Sequence, residues 1–118
     1  MQWLNFDKLE AYKNLEGLAG RVDLKTAMAG ESGAERVAAY QAPMAGNMVF
    51  SYAARQVDDT LLDALQALAD EAQLTEKYAA LYNGEVINTG EKRQVLHQLC
   101  RGQLGDDVIV DGVNKREF

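Results

Sequence analysis

The segment LYNGEVINTGEKRQVLHQLCR, which covers residues 81–101, carries the most specific order of structural signals in this chain. Asn83-Gly84 is expected to end the apolar helix before it, because both residues tolerate the left-handed backbone found just past helix ends. Residues 87–90 then predict an ordered loop. A second helix is expected after that loop and should end at Gly102. Its apolar face would consist of Val95, Leu96, Leu99 and Cys100.

Composition places the chain among globular proteins and excludes several functional classes. Its 118 residues make one domain or less, with 47% apolar and 25% charged residues. A net charge of −6 argues against nucleic acids and anionic membrane surfaces as partners. No apolar run approaches the roughly 18 residues of a membrane span, and no signal peptide is visible. The single cysteine cannot form an internal disulfide, which indicates a cytoplasmic protein.

Helical spacing of apolar residues recurs along the chain. Apolar residues at positions 6, 9, 12 and 15 predict a first helix. Asp23 should cap a short second helix, and residues 32–35 have the spacing of a capping box that starts a third. Asp58 and Asp59 suit the start of the strongest helix, and Thr75 should cap the next one. The buried stripe of the strongest helix is expected to comprise Leu61, Leu62, Leu65, Leu68 and Ala69.

Two short β elements are predicted beside these helices. Residues 41–45 and 48–52 predict an antiparallel hairpin around the turn Gly46-Asn47, with Pro43 restricting the first strand to an edge. Residues 108–110 predict a short strand before a turn at Asp111-Gly112. The expected fold is therefore α+β and mainly helical, with several short helices, a small antiparallel hairpin and a short C-terminal strand. Since such a strand needs neighbours on both edges, and the last residue is apolar, a larger fold is expected to continue the chain.

Residues 81–101 resemble a stretch close to LFNGEKIN-x-TE-x-RAVLH-x-ALR in the N-terminal region of the glucose-6-phosphate isomerase (phosphoglucose isomerase) family. Weaker similarity covers the strand at Tyr52, the leucine-spaced helix after it and residues 108–112. Ser51 stands where the family has Asp, and Ala54 and Val86 replace Lys, which indicates a divergent bacterial branch. The shared residues of the main segment are Leu81, Asn83, Gly84, Glu85, Ile87, Asn88, Glu91, Arg93, Val95, Leu96, His97 and Arg101.

The resemblance implies that residues 1–118 form a single N-terminal subdomain of a longer sugar isomerase. The full-length form would interconvert glucose 6-phosphate and fructose 6-phosphate by enediolate proton transfer, in glycolysis and gluconeogenesis, without a cofactor or metal. In the family the acid–base groups and the phosphate loop lie downstream of this region. The resemblance therefore assigns no catalytic, cofactor-binding or metal-binding residue to this chain. It implies the remainder of the isomerase as the partner, a homodimer at full length, and sugar phosphate bound only there.

Several residues allow a functional and a structural interpretation. His97, the only histidine, is flanked at helical spacing by Arg93 and Arg101, a basic trio that could approach a phosphate. A structural, hydrogen-bonded role is the preferred interpretation of His97. Cys100 is interpreted as a small buried hydrophobe rather than a reactive thiol. The remaining structural assignments are helix capping for Glu91, turn formation for Asn83 and Asn88, and core filling for Met28, Met44 and Met48.

Two hypotheses about function remain open at this stage, and a third, an unrelated small acidic helical protein, would require the motif match to be accidental. The chain is either a structural, inactive part of an isomerase or a free-standing interaction or regulatory module derived from an isomerase remnant. The first hypothesis predicts apolar surface exposed where the rest of the isomerase would pack. The second predicts cooperative folding and a partner of its own.

Overall fold

The computed structural model describes residues 1–102 and 105–116. Within those residues the chain is α+β, with five α-helices and three two-stranded antiparallel sheets, so the expected fold class is confirmed. The helices are α1 (Glu10–Gly17), α2 (Leu24–Ala27), α3 (Gly30–Ala39), α4 (Asp59–Glu71) and α5 (Leu74–Tyr82). The strands are β1 (Gln41–Pro43), β2 (Val49–Ser51), β3 (Val86–Asn88), β4 (Arg93–Gln94), β5 (Ile109–Val110) and β6 (Val113–Asn114). Short 3-10 segments lie at Phe6–Lys8, Ala45–Asn47 and His97–Arg101.

The chain divides into two compact units, and the division falls inside α4. The first unit contains residues 5–68, and the second contains residues 1–4 together with the residues from 69 onward. Each unit buries only a few apolar side chains, most of them small. In the first unit these are Leu9, Ala11, Val22, Ala53 and Leu61. In the second unit they are Ala72, Ala80 and Val108.

Aspartate side chains start two helices of the first unit, as predicted. The Asp23 carboxylate accepts a hydrogen bond from the backbone N–H of Lys25 at 3.2 Å, and Asp58 accepts one from Leu61 at 2.9 Å. The predicted capping box at residues 32–35 is wrong. Because the Ser32 hydroxyl donates to the carbonyl oxygen of Ala29 at 2.6 Å, it does not cap the helix, and α3 begins two residues earlier.

The predicted hairpin is confirmed as the β1–β2 pair. Its register places Gln41 opposite Ser51, Ala42 opposite Phe50 and Pro43 opposite Val49. The connecting turn uses Gly46 at φ +67° and Asn47 at φ +61°. These two residue types adopt positive φ at the lowest cost, which is why the local sequence predicts the turn.

The predicted stop after α5 is also confirmed. The backbone N–H of Gly84 donates to Leu81 at 3.2 Å, and that of Glu85 donates to Ala80 at 3.0 Å. These two hydrogen bonds define a Schellman motif, in which Gly84 takes the left-handed position at φ +80°. The expected Thr75 cap is wrong, because α5 begins at Leu74 and Thr75 lies inside the helix.

The second helix expected in residues 81–101 does not form. Instead β3 and β4 pair, with Val86 opposite Gln94 and Asn88 opposite Arg93. The Asn88 side-chain oxygen accepts the N–H of Glu91 at 3.1 Å, so this loop closes a hairpin rather than capping a helix. The chain then forms only the 3-10 turn His97–Arg101. Apolar spacing over barely more than one turn could not distinguish these outcomes.

Many large apolar side chains are exposed rather than packed in the core. Met28, Met44 and Met48 are 37–58% exposed, so their predicted role as core filler is wrong. The predicted stripe of α4 is only partly correct, since Leu61 is buried but Leu65 is 41% exposed. The short C-terminal strand is confirmed as β5, which pairs with β6 across the Asp111-Gly112 turn.

Candidate functional site

The most elaborate polar arrangement of the first unit centres on Arg36 of α3, which is 9% exposed. Its Nε donates to the carbonyl oxygen of Ala53 at 2.7 Å. Its Nη2 donates to the carbonyl oxygens of Arg55 at 2.9 Å and Val57 at 2.6 Å. One planar guanidinium therefore holds three carbonyl groups of the connection between β2 and α4, a task for which its fixed donor geometry is suited.

Aromatic rings extend from this guanidinium towards the hairpin. The Arg36 guanidinium carbon lies 4.3 Å from the centre of the Tyr40 ring, and Tyr40 meets Tyr52 edge to face at 5.5 Å. The Tyr40 hydroxyl donates to the Asp59 carboxylate at 3.0 Å. That hydrogen bond and partial burial raise the pKa of Tyr40 above its ordinary value of 10.0. Tyr40 therefore stays protonated at neutral pH and links α3 to the start of α4.

A polar depression of about 410 Å³ lies beside this cluster. On its rim, Arg21 Nε donates to the Asp58 carboxylate at 2.7 Å. The backbone N–H of Leu61 and then Arg21 hold the pKa of Asp58 below its ordinary 3.8. The Thr26 hydroxyl, which donates to Asp23 at 2.5 Å, is the main cause of the lowered pKa of Asp23. The residues lining the depression are Arg21, Val22, Asp23, Thr26, Ala27, Arg36 and Asp58.

The chemistry of this depression is that of a structural cluster. A general acid or base is most effective when its pKa lies near the working pH, whereas the pKa values of Asp23 and Asp58 are both shifted away from neutrality. The two arginines carry carboxylate or carbonyl partners of the same unit. The cluster is therefore suited to fixing the starts of α2 and α4 rather than to moving protons.

Each unit also has one open groove that is lined mainly by apolar side chains. In the first unit Phe50, Tyr52 and Val57 face Leu62 and Leu65 across about 310 Å³, with Arg55 at the border. In the second unit a groove of about 120 Å³ is lined by Trp3, Leu74, Lys77, Tyr78, Leu81 and Ile87. The N-terminal segment is held there, because Gln2 donates its N–H to the Gln73 side chain at 2.8 Å and the Lys77 ammonium lies 5.0 Å from the Trp3 ring centre.

The structure does not bring the predicted basic trio together on one helix. Arg93 lies on β4, whereas His97 and Arg101 lie in the 3-10 turn, and all three are exposed. The prediction that Cys100 is buried is wrong, because its thiol is exposed. A 3-10 turn has three residues per turn, so the apolar face that a 3.6-residue period would give Cys100 is not formed.

Sequence reasoning missed Arg36, Arg21 and Tyr40. The available signal was the spacing of Arg36 and Tyr40, four residues apart and therefore on one side of α3. The partners of Arg36 lie 17–21 residues away along the chain, so no local pattern identifies them. Among residues 1–102 and 105–116, no group of three or more His, Cys, Asp or Glu side chains is placed to hold a metal ion. None of the helices described is long and apolar enough to cross a membrane.

Comparison with known proteins agrees with the resemblance seen in residues 81–101. The sequence model of the phosphoglucose isomerase family matches residues 51–117. Over its whole length the chain is 47% identical to a glucose-6-phosphate isomerase of Treponema denticola and 45% identical to one of Borreliella burgdorferi. It spans only 23% and 22% of those proteins. An isomerase of Shewanella denitrificans is 48% identical over 57% of the chain and 12% of that protein.

Proposed function

Because this chain belongs to the phosphoglucose isomerase family, we propose that it is the N-terminal part of a glucose-6-phosphate isomerase. In this proposal the full-length protein interconverts glucose 6-phosphate and fructose 6-phosphate, and residues 1–118 supply structure without catalytic groups. The observation that carries the proposal is the match itself. The whole chain is 42–47% identical to several glucose-6-phosphate isomerases, yet it spans less than a quarter of each.

The polar groups of the chain support the structural part of the proposal. Aldose–ketose isomerisation needs a base that moves a proton between neighbouring carbons and a cation that stabilises the enediolate. The clustered carboxylates Asp23 and Asp58 have lowered pKa values and receive hydrogen bonds from backbone N–H groups. Arg36 is engaged with three backbone carbonyls. These groups stabilise local structure, and we assign the proton-transfer and phosphate-binding groups to the remainder of the isomerase.

The proposal extends to partners and location. The principal partner is the rest of the same polypeptide, the sugar phosphate binds only to the complete protein, and the complete protein is a homodimer. We propose a cytoplasmic location, because the single cysteine of residues 1–118 leaves no disulfide to form within this part and the proposed reaction acts on sugar phosphates of glycolysis.

A chimera tests this function. In the Treponema denticola isomerase, the segment that matches this chain is replaced by residues 1–118, and isomerisation is followed by a coupled assay that reports glucose 6-phosphate. We expect the chimera to be active and the 118-residue chain alone to be inactive at the same concentration. The matched control is the same isomerase with the segment deleted, which should show no activity.

Two results would contradict the proposal in different ways. Turnover by purified residues 1–118 would show that the chain carries its own catalytic groups. A folded chimera without activity would show that the chain cannot serve as the N-terminal part of this isomerase. An Arg36→Met chimera serves as an internal check, because loss of the carbonyl contacts should lower the stability of the enzyme more than its kcat.

A further inference from the structure

The outer edge of β2 presents backbone donors that no described residue uses. The N–H of Tyr52 donates to the carbonyl oxygen of Tyr40 at 3.0 Å, and the N–H of Met44 donates to the carbonyl oxygen of Met48 at 2.8 Å. The facing residues 40 and 52, and 44 and 48, are therefore hydrogen-bonded pairs of the hairpin. Hydrogen-bonded and non-hydrogen-bonded pairs alternate along an antiparallel ladder. The pairs at Val49 and Ser51 are therefore non-hydrogen-bonded, and their N–H groups point away from β1. Within residues 1–102 and 105–116, no backbone group pairs with them.

The two edges of the hairpin are not equivalent. On β1 the outward-facing positions are Gln41 and Pro43, and the proline has no N–H to donate. A proline on an outer strand is a common way of blocking edge-to-edge pairing. On β2 both outward positions keep their N–H groups, so an additional strand can pair with β2 but only poorly with β1.

Both faces of β2 are also uncovered. Val49 is 59% exposed on one face and Phe50 is 50% exposed on the other. On the Phe50 face, the stacked Phe50 and Tyr52 rings, 6.1 Å apart, open onto the groove that ends at Leu62 and Leu65 of α4. A two-stranded sheet is marginal by itself, and apolar residues on both faces are typical of a strand inside a larger sheet.

We propose that β2 is completed by a third strand, donated by the part of the isomerase chain that lies outside residues 1–118. This inference rests on the proposed function. The incoming segment would accept hydrogen bonds from the N–H groups of Val49 and Ser51 and place apolar side chains in the Phe50 groove. More than three quarters of each whole-chain relative lies outside the match, which supplies the polypeptide for this strand. A second copy is disfavoured, because each copy carries a net charge of −6.

Hydrogen exchange at single-residue resolution tests the proposal. It is measured by mass spectrometry on the 118-residue chain and on two chimeras, built on the Treponema denticola and Borreliella burgdorferi isomerases. In the isolated chain the amides of Val49 and Ser51 should exchange rapidly. In the chimeras they should exchange about a hundredfold more slowly, because opening now requires separation of the added strand. The amide of Gln41, on the opposite edge, should change much less.

A matched pair of substitutions separates edge pairing from general stability. Ser51→Pro removes the outward N–H but no hydrogen bond within the hairpin, whereas Ser51→Ala keeps that N–H. In the chimeras, Ser51→Pro should accelerate exchange at Val49 at least about tenfold and Ser51→Ala should not. In the isolated chain the two variants should have similar unfolding midpoints.

The outcomes distinguish this inference from the function on which it rests. Rapid exchange of Val49 and Ser51 in an active chimera overturns the added strand and leaves the isomerase assignment standing. Protection in the isolated chain that grows with its concentration overturns the proposal in favour of pairing between two copies. A folded but inactive chimera contradicts the function, while protection of the two amides still reports whether the strand has docked.

Discussion

Substitution of Gly84 by alanine tests the most specific structural signal in the chain. Gly84 holds the left-handed position of the Schellman motif at φ +80° and is buried. A Cβ built there would lie 2.7 Å from Cγ1 of Val108 and 2.9 Å from Cγ2 of Val110. Both distances are shorter than a carbon–carbon contact allows, and Val108 is only 3% exposed, so it has little room to move.

The expected destabilisation has two parts. Holding a non-glycine residue in the left-handed region costs about 1–2 kcal/mol, and forcing a methyl group into a packed site costs about 1–3 kcal/mol. Alanine also reduces the conformational entropy of the unfolded chain relative to glycine, which offsets about 0.4–1 kcal/mol of this loss of stability. Gly84→Ala should therefore lower the free energy of unfolding by about 1–4.5 kcal/mol, with a midpoint of about 3 kcal/mol that is a large share of a typical domain stability.

Gly112→Ala is the matched control. Gly112 also has a positive φ, +75°, but a Cβ built there would meet no atom within 4 Å. Only the backbone cost applies, so this variant should lose about 1 kcal/mol or less. In addition, Val108→Ala should relieve part of the clash in a Gly84→Ala background. The double variant should then be more stable than the sum of the two single losses predicts, by about 1 kcal/mol.

Urea titration followed by tryptophan fluorescence provides the assay. Trp3 is the only tryptophan and belongs to the same unit as Gly84, so its emission reports unfolding of the relevant part. Equal losses for Gly84→Ala and Gly112→Ala would refute the packing argument. No loss for either variant would refute the backbone argument as well.

The remaining predictions concern the polar cluster of the first unit and the exposed thiol. Arg36→Met should lower the free energy of unfolding by about 2–4 kcal/mol in urea titrations, because one buried and two part-buried hydrogen bonds from a charged donor to backbone carbonyls are lost. Recovery of stability by Arg36→Lys would contradict the requirement for a planar guanidinium. The Asp58 pKa is lowered, so its stabilising contribution is complete above its unfolded pKa near 3.8 and is lost as the pH falls below that value. The stability gap between the wild type and Asp58→Asn should therefore close below about pH 4, and a constant gap through this range would exclude the effect. Cys100 should react with Ellman's reagent in the folded chain about as fast as in 6 M urea, whereas strong protection would show that the thiol is buried after all.

The features that sequence predicted correctly depend on contacts between near neighbours. Asp23 and Asp58 each accept an N–H two or three residues ahead, and Asn83-Gly84 closes hydrogen bonds within one turn of α5. Such contacts depend on which residue type lies a fixed number of positions along the chain, and this can be seen directly in the sequence.

The features that sequence predicted wrongly depend on distant partners or on weak periodicity. Apolar residues at 95, 96, 99 and 100 fit a helix, but pairing between β3 and β4 and the Asn88–Glu91 turn determine the backbone. Arg36 finds its acceptors 17–21 residues away. Burial of the methionines was predicted from residue type alone, whereas burial depends on what packs against each side chain.

In this chain local hydrogen bonds are well formed, whereas many large apolar side chains remain exposed. This difference is relevant to the role of the chain. Hydrogen bonds fix the starts of α2 and α4, the end of α5 and the connection between β2 and α4. These contacts bury few carbon atoms. Many of the larger apolar side chains are exposed, and Phe50, Tyr78 and Ile109 are 50–59% exposed. Burial of such side chains is the main favourable term in folding, at about 25 cal/mol per Å². Covering this apolar area with further polypeptide would therefore add to the stability of the chain, which is what the proposed role as part of a longer isomerase requires.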